Sequence, residues 1–177
     1  MNPKLGSLGL RPSQLDGVIR EVGDLYERFK IISTEGFRRS EVQVDVEPVE
    51  DLTLRGSIDA IFDEGGGVRL VDWKTGGLYE VERQLEFYAL LWVLDRDELP
   101  CRVEAVSIGS GERVTSIPTV ETVMTTAEST AQLVTELRCA FDSGKDRLPR
   151  FAGPWCRYCA LLDGCNEGRA AVRVVDA

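Results

Sequence analysis

Apolar positions change their spacing several times along the chain, and each change marks an element. Residues 1–12 hold glycines and prolines and predict a loose segment. Leu15, Val18, Ile19, Val22, Leu25, Tyr26 and Phe29 then recur at helical spacing, with Ser13 as a candidate N-cap after Pro12. Residues 41–47, EVQVDVE, alternate and predict a half-buried strand, ended by Pro48 and the acidic pair Glu50 and Asp51. Residues 52–62 and 68–74 are short, apolar and β-branched, and Gly65, Gly66 and Gly67 connect them tightly, which predicts a β-hairpin. After the Gly76-Gly77 break, Leu85, Tyr88, Ala89 and Trp92 follow helical spacing and place a helix over 80–95. Residues 101–117 predict a second hairpin around Ser110-Gly111 that extends the sheet. Pro118 to Thr126 is expected to be a connection. Ala131, Leu133, Val134, Leu137, Ala140 and Phe141 place a long helix over 126–142, closed by Ser143-Gly144. A helix before the strands, and helices between and after them, make an α/β chain with a mixed central sheet.

Within the first hairpin, acidic residues stand where strands are expected to be apolar. A carboxylate in a buried strand costs several kcal/mol unless something pairs with it. Asp59 and Asp72 lie on strands joined by a short turn, so the two can approach each other. Their repulsion is relieved by a divalent cation, and hard oxygen ligands select Mg2+ or Mn2+. Lys74, two residues after Asp72, points to the same face of its strand. A metal, two carboxylates and a lysine at one point suit attack of water on a phosphodiester. Gln84 and Tyr88, four residues apart, share one helix face; Tyr88 could be a core aromatic, but its hydroxyl wants a partner, and beside Gln84 the pair is expected to face the site. Glu41, first acid of the 41–47 strand, is expected to face solvent.

GSID at 56–59, VDWKTG at 71–76 and Gln84 and Tyr88 in QLEFY together resemble the PD-(D/E)XK nucleases of the RecB-like branch. That branch includes nuclease domains of recombination helicase-nucleases and CRISPR-associated exonucleases. The motifs cover about residues 17–95. The resemblance implies a restriction-endonuclease-like core in one nuclease domain over 1–177. It implies metal binding by Asp59 and Asp72 with the Trp73 backbone carbonyl, a catalytic role for Lys74, and DNA-strand contacts from Gln84 and Tyr88. The family's helix before the strands usually supplies a histidine ligand. This chain has no histidine, and Glu21 occupies the matching position after Gly17. Either Glu21 replaces that ligand through oxygen, or it is a surface residue and the ligand is missing.

Length and composition constrain the rest. The chain has 177 residues, enough for a real core, and no apolar run approaches a spanning helix. Its start lacks a signal-peptide apolar segment, so a cytoplasmic protein with no membrane partner is expected. The net charge of −9 argues mildly against nucleic acid. Arg38, Arg39, Arg83 and the run Lys145, Arg147, Arg150 and Arg157 are basic candidates against it. The glycines at 65–67 are no phosphate loop, since no Lys-Ser/Thr follows at Walker spacing.

Five cysteines in a reducing compartment favour metal ligation or buried thiols over disulfides. Cys156, Cys159 and Cys165 are spaced C-x2-C-x5-C in the Cys-rich tail, 150–177, and favour zinc or an iron–sulfur cluster. The same spacing closes an iron–sulfur subset of RecB-like nucleases, which implies a [4Fe–4S] cluster. In that subset a fourth cysteine precedes the core; here none precedes Cys101. Cys101 or Cys139 could be recruited, although Cys139 reads more simply as core. The remaining options are a three-coordinate site, an empty site, or free thiols throughout.

Two function classes follow. One is a Mg2+- or Mn2+-dependent deoxyribonuclease, an exonuclease on single strands or ends, working in repair, recombination or CRISPR adaptation beside helicase or adaptation proteins. The other is a catalytically weak nuclease-fold subunit that binds or scaffolds DNA, stabilised by the cysteine site. A small metalloprotein unrelated to DNA is a third, weaker option.

Overall fold

The structure, a computed structural model, describes residues 11–143 and 151–175. The loose segment expected at 1–12 therefore lies almost wholly outside the described residues, as do Lys145, Arg147 and Arg150. The chain divides into two compact units, 1–129 and 130–177.

The first unit is built on a five-stranded sheet in the order β1-β2-β3-β4-β5. The strands are β1 (Phe37–Val49), β2 (Leu52–Glu64), β3 (Gly67–Lys74), β4 (Arg102–Ser107) and β5 (Arg113–Ser116). Only β3 and β4 run parallel; the other neighbours are antiparallel. The sheet is mixed because a helix, α2 (Glu82–Arg96), joins β3 to β4, as a parallel connection requires. Gly65 and Gly66 form the two-residue turn of the β2–β3 hairpin, with φ of +59° and +87°, which glycine adopts without a Cβ clash.

Helix α2 covers one face of the sheet. Leu85, Tyr88, Ala89, Leu91 and Trp92 pack there on Val44, Ile58, Leu70, Val103 and Ala105. Gly56 lets the helix approach: a Cβ there would meet Leu91 Cδ1 at 2.5 Å and the Tyr88 ring at 3.4 Å. The opposite face carries a smaller cluster of Ala60, Phe62, Val71 and Val106, with Trp73 against it.

Helix α1 (Pro12–Lys30) begins one residue before the expected cap. Pro12 takes the first helical position, where its missing N–H costs nothing, and Gln14 Oε1 accepts the Arg11 N–H at 3.0 Å. Its apolar stripe exists, but Val18, Ile19, Val22 and Tyr26 are exposed; Phe29 reaches the sheet and meets Trp73 edge-on at 5.6 Å.

A third helix, α3 (Val120–Asp142), starts six residues earlier than expected, so most of the predicted connection is helical. Thr119 and Thr122 explain it. The Thr119 hydroxyl accepts the Thr122 N–H at 3.1 Å, and the Thr122 hydroxyl accepts the Thr119 N–H at 2.9 Å. This reciprocal cap satisfies two otherwise orphaned donors.

The second unit contains two 3-10 turns, Pro154–Tyr158 and Leu162–Gly164, and α4 (Asn166–Val175) packed against both. Cys139 is exposed, which corrects its expected place in a core. No described helix is long and apolar enough to cross a membrane.

Candidate active site

The β2–β3 ladder ends at the pair Ala60–Val71. Beyond it, Trp73 N–H donates not to the neighbouring backbone but to Asp59 Oδ2, at 2.8 Å. One carboxylate thus takes over a ladder bond at the point where the two strands part. The packing of β2 also changes there. Ile58 and Ile61, three residues apart, pack into the α2 cluster, whereas Ala60 and Phe62 pack into the other. A regular strand alternates with period two, so the change of face falls at Asp59 and Ala60.

Asp72 and Lys74 stay on the α2 side. Asp72 is buried, and Lys74 Nζ lies 2.8 Å from its Oδ2. Lys74 also donates to Gln84 Oε1 at 2.9 Å, and Gln84 Nε2 donates to Tyr88 Oη at 2.8 Å and to Asp72 Oδ1 at 3.3 Å. Tyr88 Oη closes the circuit to Asp72 Oδ1 at 3.4 Å. The i, i+4 pair on α2 therefore meets the i, i+2 pair on β3 in one closed network.

The network leaves a deficit. Asp72 Oδ2 is buried and accepts no hydrogen bond, the Lys74 ammonium being close to it but outside hydrogen-bonding geometry. Burial pushes the Asp59 carboxyl above its ordinary range; the Trp73 N–H draws it back, and the charges of Asp72 and Glu41 push it further up. Burial and the Asp72 charge push the Tyr88 phenol up to about 12. Tyr88 is therefore a neutral donor at any physiological pH.

Glu41 is the residue that sequence reading placed in solvent and left there. It is exposed, but it lines the same cavity as Asp59 and its charge bears on that carboxyl. Its φ of +52° is unusual for a non-glycine residue in a strand. An acid opening an alternating strand carries no sign of such a conformation. Glu21 is exposed on α1, and among the described residues no hydrogen bond or ion pair joins it to Asp59, Asp72 or Lys74. Of the basic candidates, Arg38 pairs with Asp63 at 3.4 Å, Arg39 lines a cavity with Arg96, and Arg83 is exposed beside Gln84.

A family model matches residues 8–166, nearly the whole chain, from α1 through the 3-10 turns. The chain belongs to the PD-(D/E)XK nuclease superfamily. No curated protein matches it. Among solved structures it is similar to the crystal structure of SSO0001, at 20% identity and a TM-score of 0.43, over 93% of this chain and 76% of that one. The mixed sheet flanked by helices is the restriction-endonuclease-like fold of the PD-(D/E)XK superfamily, whose members are typically metal-dependent nucleases and usually use Mg2+ or Mn2+.

The residues present fit such an ion. Three carboxylates (Asp59, Asp72 and Glu41) face one lysine, and one buried carboxylate oxygen accepts no hydrogen bond. Among the described residues no three His, Cys, Asp or Glu side chains are gathered round a single ion position. Mg2+ tolerates that, since it is commonly held by one or two carboxylates and keeps several waters.

The cysteines are placed differently. Cys156 and Cys165 are half-buried and Cys159 is exposed, beside a cavity of about 700 Å3 also lined by Phe151 and Trp155. Cys156 Sγ accepts the Gly153 N–H at 3.4 Å and Cys165 Sγ the Gly168 N–H at 3.3 Å. Among the described residues they are not gathered as a ligand set for zinc or for a cluster. Cys101 donates to Val68 O at 3.1 Å, and burial pushes its thiol up, as suits a structural cysteine.

Proposed function

We propose that this chain is a Mg2+- or Mn2+-dependent deoxyribonuclease of the RecB-like branch, an exonuclease acting on single-stranded DNA or DNA ends. The observation that carries this reading is the network that gathers the buried Asp72 carboxylate with Lys74, Gln84 and Tyr88, next to the partly buried Asp59 carboxylate. Asp59, Asp72 and the Trp73 carbonyl are assigned to the metal. When bound, the ion supplies Lewis-acid polarisation of the phosphoryl oxygen and a lowered pKa for a coordinated water.

The chain's own residues do the rest. Lys74, beside the Asp72 carboxylate that would hold the ion, would offset the charge that develops on the attacked phosphate. Gln84 holds Lys74 through its amide oxygen. Its amide N–H groups and the Tyr88 hydroxyl hold the Asp72 carboxylate on the other side, and from α2 they are in reach of the DNA strand. The segment 150–177 is assigned as the tail of the same nuclease domain. Backbone N–H groups on Cys156 and Cys165 sulfurs suit an iron–sulfur cluster, whose potential such bonds tune. Helicase or CRISPR-adaptation proteins are the partners this reading assigns.

A second reading, a weakly catalytic DNA-binding or scaffolding subunit, rests on the two-carboxylate ligand set and on the exposed position of Glu21. End-labelled single-stranded and duplex DNA, incubated with Mn2+, Mg2+ or EDTA, separates the two. Metal-dependent cleavage by wild type that Lys74→Ala abolishes supports the nuclease. DNA binding without cleavage in either protein supports the scaffold. Anaerobic iron loading, followed by visible absorbance and iron content, tests the cluster; loading unaffected by Cys156→Ser overturns it.

A further inference from the structure

On the sheet face away from α2, a cavity of about 440 Å3 opens directly beside Asp59. Its walls are aromatic: Tyr26 and Phe29 from α1, Phe37 from β1, Phe62 from β2 and Trp73 from β3. The rings brace one another. Phe29 meets Trp73 edge-on at 5.6 Å, and Phe37 meets Phe62 edge-on at 5.6 Å. Yet Tyr26, Phe29 and Phe37 are 60%, 42% and 49% exposed. Rings held rigid by partners but left uncovered form a ready stacking surface. The rim is polar, with the hydroxyls of Ser33, Thr34 and Ser40, the ammonium of Lys30 and the carboxylate of Glu41.

Resting on the nuclease reading above, we infer that this cavity takes one unpaired nucleobase, from the nucleotide next to the phosphate that is cut. Asp59 belongs both to the cavity wall and to the candidate metal site, so a base in the cavity holds its own phosphate near that site. The volume admits a flat heterocycle with room for solvent at the rim. Aromatic stacking accepts every base, and hydroxyls both donate and accept, so the cavity selects for unpaired bases rather than for a sequence. Lys30, 5.4 Å above the Tyr26 ring and paired with Glu27 at 3.0 Å, stands at the rim where the backbone enters. A base held in a duplex enters only if it is flipped out of its stack, which costs a few kcal/mol. This supplies a physical origin for a single-strand or frayed-end preference, and it makes Phe29 and Phe37 specificity residues rather than catalytic ones.

The test uses the full chain and single-stranded oligonucleotides carrying 2-aminopurine at successive positions, bound in Ca2+ and then in EDTA. Stacking quenches the fluorescence at one position. Phe29→Ala and Phe37→Ala lift that quenching and weaken binding roughly 5- to 150-fold, with melting curves close to wild type. An abasic nucleotide at the same position weakens binding to the wild type by a similar factor, so a variant that misfolds does not remove the test. Quenching at no position, or an abasic site without effect, overturns the inference. Failure of the nuclease reading looks different: quenching and the abasic effect persist while Mn2+ produces no cleavage. Cleavage without either effect sinks the base cavity and leaves the nuclease standing.

Discussion

Strand β3 holds a charged cluster at each end, and the two differ in charge balance. At its start, Glu104 is buried to 1% exposure, and two guanidiniums meet its Oε1: Arg69 at 2.5 Å and Arg113 at 3.2 Å. Glu64 pairs there with Arg69 at 2.9 Å and with Arg102 at 2.6 Å. Two acids thus face three arginines. At the other end, Asp72 is nearly as buried and pairs with Lys74 at 2.8 Å, and the Asp59 and Glu41 carboxylates add two further negative charges beside it. The Glu104 end is balanced by an excess of guanidiniums, whereas the Asp72 end carries an excess of carboxylates, which on the proposed nuclease reading a cation offsets. The same strand, eight residues long, shows both.

Removing an acid or its partner at each end is expected to produce opposite outcomes. Lys74→Ala or Asp72→Ala lowers metal-dependent DNA cleavage per folded molecule by roughly 100- to 1,000-fold. Single-turnover cleavage and a melting curve on the same preparation check it. Activity lost only in step with folding would merge the two ends into one structural cluster.

Glu104→Gln is the mirror case. It leaves Arg69 with only the Glu64 carboxylate, which Arg102 shares, and costs about 3 kcal/mol. In a chain of this size that lowers the melting temperature by roughly 6–12 °C. Cleavage per folded molecule is unchanged, as active-site titration at low temperature would show. An unchanged melting temperature would mean that the remaining Glu64 pairing suffices.

Divalent metal sharpens the comparison. At a hundred times its dissociation constant, Mn2+ stabilises the wild type by about 2.7 kcal/mol. Asp72→Asn loses that increment and Glu104→Gln keeps it. Thermal melts with and without Mn2+ read this directly, and an equal shift in all three proteins would place the ion elsewhere.

The Asp72 and Lys74 end of β3 was more legible in the sequence than the Glu104 end. Asp59, Asp72 and Lys74 stand out because charges interrupt apolar strands, and the i, i+4 spacing of Gln84 and Tyr88 puts them on one helix face. The hairpin turn followed from consecutive glycines. The Glu104 cluster went unseen because its members come from β2, β3, β4 and β5, and only strand order unites them. Glu41 was set aside since a left-handed residue in a strand leaves no mark in the pattern of apolar positions. The early start of α3 was legible in principle: Thr119-Val-Glu-Thr122 is a reciprocal cap, overlooked because Pro118 drew the eye to a connection. The apolar stripe of α1 predicted a helix correctly but not its exposure, since periodicity says which side is apolar and not what covers it.

Tyr88 offers a smaller test on the alkaline side. Its phenol is pushed from 10.0 up to about 12 by burial and by Asp72. The folded state therefore retains a proton that the unfolded chain loses, so stability falls as pH rises from 10.0 to about 12. Tyr88→Phe removes this dependence and, with its hydrogen bonds gone, costs about 1 kcal/mol at neutral pH. Denaturant titrations at several alkaline pH values check both; parallel pH profiles for the two proteins would exclude a buried Tyr88 hydroxyl.

Asp59 gives the smallest effect and the sharpest sign. Burial raises its carboxyl pKa, and the neighbouring Asp72 and Glu41 charges add to this. A raised carboxyl binds more protons folded than unfolded, so without metal the ionised form destabilises the protein at neutral pH. The penalty fades as pH falls through the folded-state pKa. Asp59→Asn carries no such penalty, so in EDTA it melts slightly above the wild type at pH 7, and the difference disappears on acidification. The amide still has an oxygen to accept the Trp73 N–H, so the ladder cap survives the change. Adding Mn2+ reverses the order, because only the wild type presents the second carboxylate. A stable wild type and a weakened Asp59→Asn in EDTA would instead show that Asp59, like Glu104, is held for structure.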